Sequence, residues 1–130
     1  MTTVGKPVMG SGTTTIYATS AVSMSSSRYS NLECNVSSST IPTTAQVDRI
    51  TLGGITMSNV QNWRAMAPNK SVWKTSAAYN PGIDMGYVED ATYNSNILGA
   101  WQFAFKASPT ARITRFTPCF SVTYYYAYGD

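Results

Sequence analysis

Hydrophobic and polar residues alternate with a period of two along much of the chain, which predicts β-strands. The alternation is clearest near the C terminus, where the following residues share one phase: Phe116, Phe120, Val122, Tyr124 and Tyr126. It predicts one long strand over residues 112–126, with one face on a hydrophobic core and the other toward water. We expect the remaining strands to be built around this one.

The same pattern predicts further strands upstream, at residues 13–22, 28–37, 46–52 and 100–106. Gly53-Gly54 predicts a tight turn and therefore a hairpin into the segment that follows it. Between residues 61 and 93 the alternation weakens. There we expect only short strands, at residues 71–75 and 85–89, inside long loops.

This count, about seven to nine strands, predicts an all-β fold: an antiparallel β-sandwich, with a jelly roll as the favoured topology and an Ig-like domain as the alternative. Residues 1–12 hold several Gly and Pro residues and no period, so we expect an irregular N-terminal arm before a sandwich domain at residues 13–130. In an assembly, the arm and the outward tyrosines near the C terminus would contact other subunits. The candidate interface residues are Val4, Lys6, Val8, Tyr125 and Tyr128.

The polar positions carry hydroxyls more than charges, since charged residues make up 12% of the chain while Ser and Thr together number 33. The net charge is +3, and the basic residues are scattered, which argues against a nucleic-acid partner. No apolar run approaches the roughly 20 residues that span a bilayer, so no membrane insertion is expected. The N terminus lacks the apolar segment of a signal peptide, and we expect synthesis in a cytoplasm.

The two cysteines fall on different phases of their predicted strands. Cys34 shares the inward phase of Leu32 and Val36, whereas Cys119 is out of phase with Phe120. Two free thiols are therefore expected, unless a bulge at Pro118 resets the phase.

The chain contains no histidine, which excludes Ser-His-Asp and Cys-His hydrolysis and the common zinc sites. We expect no enzymatic activity and no cofactor. Asp84, Glu89 and Asp90 form the one cluster of acids. They are interpreted as solvated loop acids, with a calcium site and a two-carboxylate glycosidase site as the alternatives.

Aromatic residues in the weakly patterned region are the better candidates for a binding site, because their flat faces can stack on sugar rings. The candidates are Trp63, Trp73, Tyr79, Tyr87 and Tyr93, with Asn62, Arg64, Lys74 and Asn80 beside them as hydrogen-bond donors. The alternative is that Trp63 and Trp73 cap the ends of the core. Trp101 shares the phase of Phe103 and Phe105 and is expected to be a core residue.

Two passages carry a resemblance to known families. Residues 41–52, Ile-Pro-Thr-Thr-Ala-Gln-Val-Asp-Arg-Ile-Thr-Leu, resemble the turn and strand that open β-sandwich modules of phage tail fibres, head fibres and other virion proteins. Residues 99–105, Gly-Ala-Trp-Gln-Phe-Ala-Phe, with the strand at residues 113–126, are similar to the end of carbohydrate-binding jelly rolls and proprotein-convertase P domains. The acidic, calcium-rich loops of the P domain and of secreted modules are missing.

The resemblance implies a non-enzymatic structural protein of a virion, located in the particle. Such a protein would decorate a capsid or form part of a fibre or tail, with itself and other virion proteins as partners. The alternative is a carbohydrate-binding module that recognises cell-surface glycans through its loop aromatics.

Overall fold

The computed structural model describes residues 9–86, 93 and 96–127, and in these residues the secondary structure is ten β-strands and one short 3-10 helix. The strands are β1 (Met9–Tyr17), β2 (Val22–Ser23), β3 (Ser30–Val36), β4 (Gln46–Gly53), β5 (Val60–Met66), β6 (Lys74–Thr75), β7 (Gly82–Asp84), β8 (Gly99–Ala107), β9 (Arg115–Phe116) and β10 (Cys119–Ala127). The helix is Met57–Asn59.

Two four-stranded antiparallel sheets form the two layers of the molecule. The first sheet has the strand order β1-β10-β4-β7, and the second sheet has the order β3-β8-β5-β6. A two-stranded ribbon of β2 and β9 accompanies them. The predicted all-β, antiparallel sandwich is confirmed.

The strand pairing is nested from the ends of the chain toward its middle. The pairs are β1 with β10, β2 with β9, β3 with β8, β4 with β7, and β5 with β6. The chain therefore forms one long antiparallel ribbon that returns along itself from a tip between β5 and β6. Two lateral pairings, β10 with β4 and β5 with β8, join parts of this ribbon side by side into the two sheets.

Aromatic side chains from both sheets meet in the core. Phe120 of the first sheet stacks on Phe103 of the second, with ring centroids 3.9 Å apart and ring planes 14° from parallel. Trp63 lies 5.7 Å from Phe120, and Trp101 stacks on Phe103 at 6.0 Å. Both tryptophans are fully buried, so Trp101 is the core residue that its phase predicts. Burial of each large side chain contributes roughly 1.5–3 kcal/mol.

Three of the predicted strands occur nearly as expected, as β3, β4 and β8. The predicted C-terminal strand at residues 112–126 is instead divided into β9 and β10. Pro118 lies between them, and proline has no N–H to donate to a sheet. The inward phase of Phe116, Phe120 and Val122 is confirmed, since all three are buried.

The predicted hairpin after Gly53-Gly54 is wrong. Gly54 adopts a positive φ of 91°, a conformation that favours glycine, but the turn leads into the 3-10 helix and then into β5. Because β4 belongs to the first sheet and β5 to the second, this connection crosses between layers. Asn59 anchors this connection to the loop before β9, because its Oδ1 accepts hydrogen bonds from the backbone N–H groups of Arg112 and Ile113 at 2.9 and 3.1 Å.

The predicted arm is too long at its C-terminal end, because β1 begins at Met9. Gly10 and Gly12 belong to this strand and lie opposite Tyr126 and Tyr124. A Cβ on either glycine would overlap the tyrosine ring across from it. Because the two glycines have no side chains, the tyrosine rings can occupy this space. The alternation of hydrophobic and polar residues does not indicate this arrangement. Residues 1–8 lie outside the described residues.

Strand β5 is absent from the prediction, and a β-bulge accounts for the irregular pattern at its start. Val60 pairs with Ala107 and Asn62 with Lys106, which leaves Gln61 as an extra residue. A second irregularity lies in β4, where Val47 and Arg49 pair with successive residues of β10 and Asp48 is extra. Each extra residue shifts the inward phase by one position.

The remaining short strands differ from their predictions in position. The strand expected at residues 71–75 is limited to Lys74–Thr75 in β6. Strand β7 lies at Gly82–Asp84, before the strand predicted at residues 85–89, whose last three residues are outside the described part.

Candidate functional site

Trp63, the first of the predicted sugar-stacking residues, lies inside the sandwich and is fully buried. Its ring contacts Phe105 at 6.5 Å as well as Phe120, and its indole N–H donates to the carbonyl of Asn80 at 3.2 Å. It therefore offers no face to a ligand, and the prediction that it binds sugar is wrong. The alternative interpretation, that Trp63 caps an end of the core, agrees with this burial in placing the ring in the core and not on a binding surface.

Trp73 is half-buried and lies beside Arg64, which also contacts Tyr29. The Cζ atom of Arg64 lies 4.1 Å from the ring centroid of Tyr29 and 4.3 Å from that of Trp73. Both rings are therefore within cation–π distance of the guanidinium. We call these three residues the Arg64 stack. Tyr29 is absent from the sequence-based candidates, because those are loop aromatics, whereas Tyr29 falls within the strand predicted at residues 28–37.

The sheet register explains how the Arg64 stack is seated. Arg64 in β5 pairs with Thr75 of β6 on one side and with Ala104 of β8 on the other, and Ala104 pairs with Asn31 of β3. Ala104 points outward, since its neighbours Phe103 and Phe105 point into the core, yet it is fully buried. Its small side chain lets the guanidinium and the two rings lie close to the sheet.

The other aromatic candidates have separate environments. Tyr79 is 47% exposed, has a φ of 59°, and its hydroxyl lies 3.3 Å from the Ser108 hydroxyl. Tyr93 is half-buried against the core, and the Lys74 Nζ lies 4.6 Å from its ring centroid. Tyr87 lies outside the described residues. The contacts of the described candidates therefore do not form one continuous aromatic platform.

The acidic candidates are only partly visible. Asp84 ends β7, is exposed, and accepts the backbone N–H of Gly86 through Oδ1 at 2.9 Å. Glu89 and Asp90 lie outside the described residues. Among the residues that the structure describes, no group of three His, Cys, Asp or Glu side chains is placed to hold a metal ion.

Many side chains on the outer face of the first sheet carry a hydroxyl group. Thr13 lies opposite Thr123, and Thr15 lies opposite Ser121, which is also opposite Thr51 of β4. The first four of these residues are exposed. Tyr125, predicted as an outward interface residue, points to this face and is 37% exposed. The interface candidates Val4, Lys6, Val8 and Tyr128 lie outside the described residues.

Strand β1 forms one edge of the first sheet and is nine residues long. It contains neither a charged residue nor a proline, the usual protections of an exposed strand edge. Tyr17, at its end, is 73% exposed. Within the described part of the chain, β10 is the strand paired with β1, on its other side.

A polar groove of about 460 Å³ lies at the end of the sandwich where the 3-10 helix meets the loop before β9. It is lined by Thr56, Ser58, Asn59, Thr110, Arg112 and Ile113. Asn59 already uses its amide to anchor this loop. The lining combines hydroxyls with one guanidinium and contains no carboxylate or thiol, so it offers no acid-base pair for catalysis.

Both cysteines are free thiols, as predicted. Cys34 is buried in β3 opposite Trp101, while Cys119 is half-buried in β10 opposite Gly53. Burial, and after it the charge of neighbouring Glu33, raises the pKa of the Cys34 thiol. Cys34 therefore stays protonated at neutral pH and is a poor nucleophile.

In the described part of the chain, no helix has the length and apolar character needed to cross a membrane. No family model matches the chain, and no curated protein matches it. Among solved structures, the chain is similar to the giant freshwater prawn Macrobrachium rosenbergii extra small virus (XSV) virus-like particle, solved by cryo-EM. The identity is 11%, the match covers 99% of this chain and 86% of that chain, and the TM-score is 0.35.

Proposed function

We propose that this protein is a non-enzymatic structural protein of a virus particle, a jelly-roll subunit that acts through contacts with other copies and with other particle proteins. The nested strand pairing carries the proposal. Four nested pairs divided between two four-stranded sheets, with β2 and β9 as a fifth short pair, are what a rolled antiparallel ribbon produces. Jelly rolls of this kind serve as viral capsid and lectin domains.

The open edge of β1 supports a role in assembly. A strand edge without charges or prolines readily pairs with another chain. Strand β1 has nine residues of such an edge and is continuous with residues 1–8, which include Val4, Lys6 and Val8. We propose that this edge, with the segment before it, contacts a neighbouring subunit.

The polar side chains on the surface suit a protein that binds partners and does not catalyse a reaction. The outer face of the first sheet presents mainly Ser, Thr and Tyr side chains, which can hydrogen-bond to a partner without the desolvation cost of buried charges. The whole chain contains no histidine, which excludes the commonest acid-base and metal chemistry.

The position in the particle is part of the same proposal. Capsid decoration, a fibre or a tail would each suit a small subunit with one open edge. Attachment to a host glycan is the second predicted role, and the burial of Trp63 removes one member of its aromatic set. Tyr125 and Tyr128 remain proposed contact residues.

The test is the assembly state of the purified protein. We expect sedimentation velocity to show a concentration-dependent assembly, and cryo-EM of the largest species to show the β1 edge at a subunit contact. Thr15→Lys adds a charge to this edge at an exposed position, and like charges should then face each other across the contact. This variant should fold and assemble at least about tenfold more weakly, a loss of about 1.4 kcal/mol.

Thr110→Lys is the matched control, because it adds the same charge at an exposed position in the loop between β8 and β9, outside β1. It should assemble like the unmodified protein. A strict monomer at every concentration, in the presence and absence of the other particle proteins, would refute the structural role. Equal effects of the two lysines would refute the β1 contact.

A further inference from the structure

The Arg64 stack holds a positive charge close to two aromatic rings. The Cζ atom of Arg64 lies 4.1 Å from the ring centroid of Tyr29 and 4.3 Å from that of Trp73. Each ring attracts the cation through its face, and such a contact leaves the N–H groups of the guanidinium without a conventional hydrogen-bond acceptor.

One of these donors is unsatisfied. The Nε atom of Arg64 is buried and has no hydrogen-bond acceptor among the described residues. A buried donor without an acceptor costs about 1–3 kcal/mol. Arg64 as a whole is only half-buried, so an anionic ligand can approach the accessible part of the side chain and neutralise the charge.

We propose that the Arg64 stack is a binding site for the carboxylate of an acidic sugar. A carboxylate matches the planar donors of arginine with two oxygens, and an arginine that already contacts two rings loses less freedom on binding than one that is free in solvent. The ring edges of Tyr29 and Trp73 flank this position and can pack against the C–H groups of a sugar.

The neighbours of the stack favour a sugar over an acidic peptide. The row of paired residues that contains Arg64 ends in Asn31 on β3 and Thr75 on β6, and both are exposed. Gln102 occupies the adjacent outward position of β8. Amides and a hydroxyl complement a ring with several hydroxyl groups, whereas a peptide partner would need apolar pockets for its anchor residues.

This site differs from the predicted aromatic platform, because here the guanidinium recognises the ligand and the rings position the guanidinium. It does not rest on the particle role, since a monomer would bind equally well. The two proposals therefore fail separately: one through the assembly state and the other through ligand titration.

The experiment titrates the ¹⁵N-labelled protein with D-glucuronate and with D-glucose, two sugars that differ by the carboxylate. We expect glucuronate, and likewise N-acetylneuraminic acid, to shift the Arg64 Nε–H resonance with a dissociation constant on the order of 1 mM. Glucose should shift it by less than a tenth as much at equal concentration. No shift with either acid, or equal shifts with glucuronate and glucose, would overturn the proposal.

Two variants assign the binding to Arg64. Arg64→Lys keeps the charge and loses the planar group, so ligand-observed NMR should show at least about tenfold weaker binding of glucuronate. Arg112→Lys is the matched control and should bind normally. If Arg64→Lys binds as tightly as the unmodified protein, the site is not a guanidinium site.

Thr75→Glu provides a second test without altering the stack itself. The new carboxylate would face Arg64 across β5 and β6 and compete with the sugar acid for its donors. Thr75→Gln, of the same size but neutral, should leave binding within about twofold, a difference of less than 0.5 kcal/mol. Equal binding by these two variants would contradict the assigned position.

Discussion

At the scale of single residues, the glycines of β1 are as informative as the aromatic core. Gly12 lies opposite Tyr124, and the end of the tyrosine ring occupies the space that a side chain on Gly12 would take. Gly10 and Tyr126 repeat this arrangement two residues away. The two tyrosine rings, 6.2 Å apart, thereby cover the inner side of the strand pair where glycine provides no side chain.

We therefore expect Gly12→Ala to destabilise the protein even though alanine is small. The new Cβ would displace the Tyr124 ring, and forced displacement of a packed side chain costs about 1–3 kcal/mol. Urea unfolding followed by tryptophan fluorescence measures this loss. Thr13→Ala, at the next position on the exposed face, is the control and should change the free energy of unfolding by less than about 0.5 kcal/mol.

The double variant Gly12→Ala/Tyr124→Ala separates the overlap from other effects of alanine. Once the ring is absent, Gly12→Ala should cost no stability, because the Cβ then has free space. An equal cost with and without the ring would mean that backbone conformation, and not the overlap, accounts for the loss.

The two thiols should differ in reactivity because of their burial. Cys34 is buried and its thiol pKa is raised, first by desolvation and second by Glu33, whereas Cys119 is half-buried. With a thiolate-specific reagent near neutral pH, Cys119→Ser should therefore react much more slowly than Cys34→Ser. Comparable rates in the folded protein would show that the environment of Cys34 is open.

The pH dependence of this difference has a defined sign. Because the folded-state pKa of Cys34 is raised, the favourable contribution of the neutral thiol is fully present below the pKa of the unfolded thiol. It is lost as the pH rises toward the raised value. The free energy of unfolding of Cys119→Ser should accordingly fall toward alkaline pH. The double variant Cys34→Ser/Cys119→Ser should show a smaller fall.

At the scale of elements, the sequence predicts the strands in which several inward positions alternate without interruption, including β4, whose bulge at Asp48 leaves Ile50 and Leu52 in phase. Strands β3 and β8 are paired residue by residue without a bulge, and both were predicted within two residues at each end. In β5 the alternation is interrupted at Gln61, which is the extra residue of the β-bulge. The sequence of β5, with its polar outward residues, therefore predicts a loop, although Trp63 and Ala65 are fully buried.

The candidate site was predictable only in part for the same reason. Trp63 and Trp73 have similar neighbours in sequence, but the register places Trp63 inside the sandwich and Trp73 on the outer face. Arg64 follows Trp63 and therefore points outward. Tyr29 reaches it from a separate strand connection across β8, and such a contact depends on the strand order, which the hydrophobic period does not specify.

At the scale of the whole molecule, the nested pairing brings the two ends of the described chain together. Met9 lies opposite Ala127, while the tip of the ribbon lies between β5 and β6. The order in which the strands are connected could therefore be changed without changing any pair. Joining the ends and opening the tip would turn the β1–β10 pair into a local hairpin.

We expect a circular permutant that links Ala127 to Met9 and opens between Ser71 and Val72 to fold. A linker of about three to five residues, the usual length of a hairpin connection, can join the paired ends, and both residues at the opening are exposed. Far-UV circular dichroism should match the unmodified protein, and the melting temperature should stay within about 4 °C, the shift that 1 kcal/mol produces in a domain of this size. A permutant with the same linker that opens between Gln102 and Phe103 should not fold, because that cut divides β8, a strand paired on both sides. Failure of the first permutant would show that the ends of the ribbon do not meet as the β1–β10 register requires, and success of the second would show that β8 is not the centre of its sheet.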